Sequence, residues 1–146
     1  MFRYQILETP SFQFEKNVID KIFNIISKEV SKTQKWTLNI VFLEPNSIKK
    51  LNNDYRWKNY ETDVLSFHYH DDFSGLSDDE IAGEIVLCEA KIISQAEEYS
   101  WWNDKEFYKL LIHSILHILW YDHINDNDYK IMQELENQIW AEVFEV

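Results

Sequence analysis

Apolar residues at Phe14, Val18, Ile22, Ile25 and Ile26 recur at the period of an α-helix and predict a helical segment over Phe14–Val30. Trp36, Leu38, Ile40 and Phe42 alternate with polar neighbours, which predicts a strand over Trp36–Leu43. A shorter strand over Phe2–Leu7 is stopped by Thr9-Pro10. Pro45-Asn46 opens a second helix through about Tyr55, with Asn46 as the expected cap. Asp63–Tyr69 reads as a third strand, Asp71–Asp79 as a polar loop and Gly83–Cys88 as a fourth strand. Glu89 to about Trp101 and Lys105–Leu119 are helical by period and composition, and a last helix is expected over Asp128–Phe144 after a turn at Tyr121–Asn127. Strands thus flank the first two helices and helices gather at the C-terminal end. That order predicts an α+β fold: a single domain with a mixed sheet of about four strands packed against several helices.

Length and composition agree with one domain spanning 1–146, with 45% hydrophobic and 27% charged residues. The chain has two glycines and two prolines, so turns lean on Asn and Asp. Cys88 is the single cysteine and has no partner for an internal disulfide, so the fold is expected not to depend on an oxidising compartment. The first residues lack the apolar run of a secretory signal. Leu110–Tyr121, the most apolar stretch, is interrupted by Ser114 and two histidines and falls short of the ~20 residues of a membrane span. These features give the expectation of a cytoplasmic protein with no membrane partner.

The net charge of -12 speaks at first against nucleic acid, whose affinity for proteins comes chiefly from Lys and Arg. The charge is unevenly spread, however. Residues 1–60 hold ten Lys and Arg against six Asp and Glu, whereas residues 61–146 hold four against twenty. The expectation is a surface whose faces differ in sign. Charge alone leaves the function open.

The segment His113-Ser-Ile-Leu-His117-Ile-Leu-Trp-Tyr-Asp-His123 carries the most chemistry. Residues i and i+4 share one helix face, so two imidazoles can converge on one ion, and a third, six residues later, can fold back if the helix ends between them. Three imidazoles leave one tetrahedral position open, the arrangement of a catalytic zinc site rather than a closed structural one. The alternative is a set of ordinary core histidines. Unpartnered histidines on an apolar helix are costly to desolvate, and the regular spacing favours ligation, which removes that cost. His68 and His70, two apart on a strand beside an acidic loop, read as surface residues. Arg56 follows a helix end in the cationic half, where a guanidinium can grip an anion with two parallel hydrogen bonds. By itself it would be a solvated arginine.

Taken together, Tyr55-Arg56, then Thr62-Asp63-Val64-Leu65-Ser66-Phe67, then Gly83-Glu84-Ile85, then the histidine segment ending Tyr121-Asp122-His123, resemble the bacterial YbeY family in order and spacing, from about Trp36 to the C-terminus. The resemblance implies a zinc-dependent endoribonuclease acting in 16S rRNA 3′-end maturation and small ribosomal subunit quality control. It implies one Zn2+ per chain held by His113, His117 and His123, and Arg56 as the catalytic arginine. Ribosomal RNA, the small ribosomal subunit and its assembly proteins are the implied partners. Ser114 and Trp120 stand where the family usually has glycine, and Glu84 where it usually has aspartate. Zinc would acidify water and polarise a phosphoryl oxygen, and Arg56 would stabilise the charge that develops there. Asp122 either orients a ligand imidazole or serves the turn.

Two other classes compete. A zinc peptidase shares the histidine spacing, but a His-Glu-x-x-His enzyme carries its general base where this chain has Ser114. A non-enzymatic ribosome-assembly factor would hold a structural metal and need a fourth protein ligand, for which Cys88 or a carboxylate is available.

Overall fold

The computed structural model describes residues 3–30, 36–58, 62–70, 73, 75–77, 80–119, 121 and 125–145. Within them the order is β1 (Arg3–Glu8), α1 (Lys16–Glu29), β2 (Thr37–Leu43), α2 (Pro45–Arg56), β3 (Val64–His68), β4 (Ile81–Cys88), α3 (Glu89–Glu98), α4 (Asn103–Ile118) and α5 (Asp126–Phe144). The strands form one sheet in the order β1-β2-β4-β3. β1 and β4 run parallel to β2, and β3 runs antiparallel to β4 as an edge strand. The α+β reading with a four-stranded mixed sheet is therefore what the chain adopts.

Strand alternation divides the interior in two. Leu38, Ile40, Phe42, Ile85 and Leu87 point to the larger core, shared with Ile19, Ile22, Phe23 and Ile26 of α1 and with the apolar residues of α4. Each such side chain contributes about 1.5–3 kcal/mol on full burial. Their neighbours in register, Val86, Cys88 and Leu65, point the other way, to a small cluster capped by Ile48 of α2. α4 is positioned by its first half: Phe107 is fully buried, 5.2 Å from Phe42 and 5.6 Å from Phe14 between ring centroids.

The differences from the sequence reading lie at element ends. Phe14 belongs to the apolar period but precedes α1, because it packs on Phe107 without being helical. Asn46 is not the cap of α2. Glu44 occupies that position in extended conformation and Pro45 is the first helical residue, where its missing N–H costs no hydrogen bond. α5 starts two residues early because the side chain of Asn125 accepts from the Asp128 backbone N–H at 2.9 Å. Phe2, much of the Asp71–Asp79 loop, Trp120 and Asp122 lie outside the described residues.

Gly83 is needed for close approach. A Cβ there would collide with the backbone carbonyl oxygen of Phe67 on the edge strand, which has no flexible side chain to yield. Gly83→Ala is therefore expected to push β3 away from β4 and to destabilise the protein by about 1–3 kcal/mol. The denaturant midpoint measures this, and a midpoint equal to the wild type's would show that β3 moves freely.

Candidate metal centre

α4 is buried on nearly all sides: Phe107, Tyr108, Leu110, Leu111, Ile112, Ile115, Leu116 and Ile118 are all enclosed. Asp104 and Glu106 in its first turn complement the positive end of the helix dipole. His113 and His117 form the half-exposed stripe of this helix. Their rings meet edge-on with centroids 4.5 Å apart, and the two Nε2 atoms are 3.0 Å apart. Zinc–imidazole bonds of ~2.0–2.1 Å at a tetrahedral angle place two nitrogens about 3.3 Å apart. The pair thus fits a shared zinc ion after a shift of a few tenths of an ångström. His123 lies outside the described residues, and no group of three potential ligands occurs among the described ones.

The pair is supported from two other elements. Glu136 of α5 sits with Oε1 2.7 Å from Nδ1 of His113. Since a carboxylate accepts, Nδ1–H donates, and in the neutral ring the lone pair is left on Nε2, toward His117. Nε2–H of His68, on β3, donates to the carbonyl of Ile118 at 2.8 Å. That carbonyl ends α4 just beyond His117, so this surface histidine also fixes the end of the helix. His70 is exposed.

A second polar group sits at the other end of α4. Glu106 is fully buried and accepts from Gln95 Nε2 at 2.9 Å and Trp101 Nε1 at 3.1 Å, with Lys109 Nζ at 3.0 Å. Gln95 also donates to Asp63 Oδ2 at 3.3 Å, and the Asp63 carbonyl accepts from the Cys88 N–H at 2.9 Å. The aspartate of the Thr62–Phe67 hexapeptide thus ties the start of β3 to α3, and through Gln95 and Glu106 to α4.

Ser114 is fully buried, and its hydroxyl has no hydrogen-bond partner among the described residues. It cannot serve as a base at the histidine face, and its helical position makes no use of a glycine's freedom. Cys88 points into the cluster under α2, on the opposite side of the sheet from α4, so it is not a fourth ligand to the histidines. Arg56 is the last residue of α2 and is exposed; Trp57 follows in left-handed conformation at φ 55°. The Tyr55 ring packs edge-on against Phe67, with centroids 5.6 Å apart. The next residue, His68, holds the end of α4. The end of α2, which carries Arg56, and the histidine pair therefore lie on the two sides of the edge strand β3, without a described contact between them. On the Arg56 side, burial and a hydrogen bond to Glu84 push the Tyr69 hydroxyl well above its usual pKa, so it stays protonated.

Sequence reading missed Glu106 and Glu136, which look like any other acids of this acidic half. One signal for Glu136 is present: it falls in the stripe Met132, Glu136, Ile139, Val143, whose other three members are buried. An acid at such a position needs a partner.

The family described as Endoribonuclease YbeY matches residues 5–143. A protein of that description from Fusobacterium nucleatum is 37% identical over 126 residues, covering 85% of this chain and 76% of the relative. One from Carboxydothermus hydrogenoformans is 35% identical over 137 residues, covering 90% and 93%. The solution structure of a Thermotoga maritima protein superposes with a TM-score of 0.67 at 28% identity, covering 99% of this chain and 89% of that one. The chain belongs to the YbeY family.

Proposed function

We propose that the protein is a zinc-dependent endoribonuclease that cleaves ribosomal RNA in 16S 3′-end maturation and in quality control of the small ribosomal subunit. In this reading it works in the cytoplasm with that subunit and its assembly proteins. The observation that carries the metal reading is the His113–His117 pair, whose Nε2 atoms converge on one face of a buried helix. The endoribonuclease reading rests on the relatives, which bear that description. His113, His117 and His123 hold the zinc. Bound zinc supplies Lewis acidity that polarises a phosphoryl oxygen and acidifies water. His68 holds the end of the helix just beyond His117 through the Ile118 carbonyl. Arg56, across β3, grips the phosphate and stabilises the negative charge that grows on it during cleavage.

Purified protein tested for zinc content, and for cleavage of structured RNA against casein, decides between this reading and its competitors. Zinc near one per chain with RNA cleavage is the expected result. Proteolysis, or zinc without turnover, would refute it.

RNA is expected to dock on the cationic half. Lys49, Lys50, Arg56 and Lys58 lie on or just beyond α2, and all but the half-exposed Lys49 are exposed. Affinity should fall with salt, but along a shallow slope, because few cations displace counterions. Reversing Lys49 and Lys50 to Glu should weaken binding across RNA sequences and flatten the slope further. Unchanged affinity would place docking elsewhere. No helix among the described residues is long and apolar enough to cross a membrane.

A further inference from the structure

Glu136 reaches the histidine pair from a separate element. It lies on α5, four residues after Met132 and three before Ile139, on the face that buries both. A carboxylate at that position costs free energy unless it meets a polar partner. Its Oε1 meets the Nδ1–H of His113 at 2.7 Å, a length usual for charge-assisted hydrogen bonds. The pair is about one-third exposed, with 30% of the His113 and 27% of the Glu136 side chain accessible. It stands between two small clefts. One, of about 240 Å³, is lined by Asp63, Lys109 and Leu110; the other, of about 140 Å³, by Tyr129 and Met132. The contact thus sits where solvent reaches His113, not in the packed centre of the α4–α5 interface.

We propose that Glu136 is a positioning residue for the metal centre. By accepting from Nδ1–H it locks the ring plane of His113 and keeps the Nε2 lone pair turned toward the ion. Because it stands on α5 while its histidine stands on α4, it also makes the metal affinity depend on α5 being seated. Carboxylates that bind the far nitrogen of a ligand imidazole raise ligand basicity as well as fixing orientation. The proposal rests on reading His113 as a zinc ligand. The competing role is a strut that joins α5 to α4, and the two roles differ in what they move. A strut changes stability and leaves the intrinsic zinc affinity alone. A positioning carboxylate changes affinity even where the metal-free fold is intact.

Wild type, Glu136→Gln and Glu136→Ala should be compared by competition for zinc with a chromophoric chelator. The thermal midpoints of the metal-free proteins and the 15N shifts of the His113 ring should be recorded alongside. Zinc affinity is expected to fall roughly ten- to a hundredfold in Glu136→Ala. Glu136→Gln, whose amide oxygen still accepts but carries no charge, should lose less. The metal-free wild type should show His113 protonated on Nδ1, and Glu136→Ala should lose that preference. Equal zinc affinity in all three, with a lowered midpoint in the alanine variant, would make Glu136 a strut and overturn the proposal. A His113 protonated on Nε2 in the metal-free wild type would overturn it as well. Wild-type protein that takes up no zinc would instead refute the metal reading itself, and this proposal with it.

Discussion

Arg56→Ala should cut RNA turnover by roughly a hundredfold or more, the usual loss when one preorganised donor to a developing anion is removed. Zinc content and thermal stability should stay nearly intact. Arg56 ends α2 in solvent, and replacements at such positions usually stay within about 0.5 kcal/mol. The position across β3 from the histidine pair is the reason for this separation: the guanidinium can be deleted without touching a ligand or the residues that hold one. Arg56→Lys should recover part of the loss, since an ammonium keeps the charge but not the two parallel hydrogen bonds. Measurement of kcat and KM on one structured RNA, with zinc assayed on the same samples, gives the answer. Undiminished cleavage by Arg56→Ala would remove the residue from the mechanism and leave the metal as the sole catalytic element. Loss of zinc in the same variant would mean that the two sides of β3 are coupled.

The elements and the histidine stripe were legible in the chain because both rest on local periodicity. Trp36, Leu38, Ile40 and Phe42 alternate with their neighbours along the strand, and all four lie in the larger core. His113 and His117 are four apart on one helix, so their convergence follows from helix geometry alone. What supports them is not local. Glu136 is 23 residues from His113, and His68 is 50 residues from Ile118. Both contacts exist only once α5 and β3 have packed beside α4. Glu106 is similar, since its partners Gln95 and Trp101 reach it only because the α3–α4 turn folds back. The missed helix starts have a different origin. At α2, proline at the first helical position outweighed the capping preference of Asn46; at α5, the cap is Asn125, so the helix starts ahead of the expected Asp128. Charge misled in the opposite direction. The surplus of acid in residues 61–146 predicts surface charge, yet Glu106 is fully buried at the base of α4 and the part-buried Glu136 meets the histidine pair.

His117→Ala tests the centre itself and should have the largest effect. Three imidazoles bind zinc in an open catalytic arrangement, and removing one leaves two neutral ligands, too few to hold the ion against water and buffer. Zinc should therefore fall from about one per chain to near zero after dialysis against a mild chelator. RNA cleavage should drop to the level of metal-stripped wild type. The fold should survive, for reasons that can be read from the site. His117 is only half-buried, alanine is the best helix former, and α4 is held by Phe107, Leu111, Ile115 and their neighbours rather than by the histidine face. The Ile118 carbonyl keeps its His68 hydrogen bond, and Glu136 keeps His113. Far-ultraviolet circular dichroism should accordingly match that of metal-free wild type. Metal analysis and cleavage assays on the same preparation complete the test. Stoichiometric zinc retained by a folded His117→Ala protein would refute the ligand assignment.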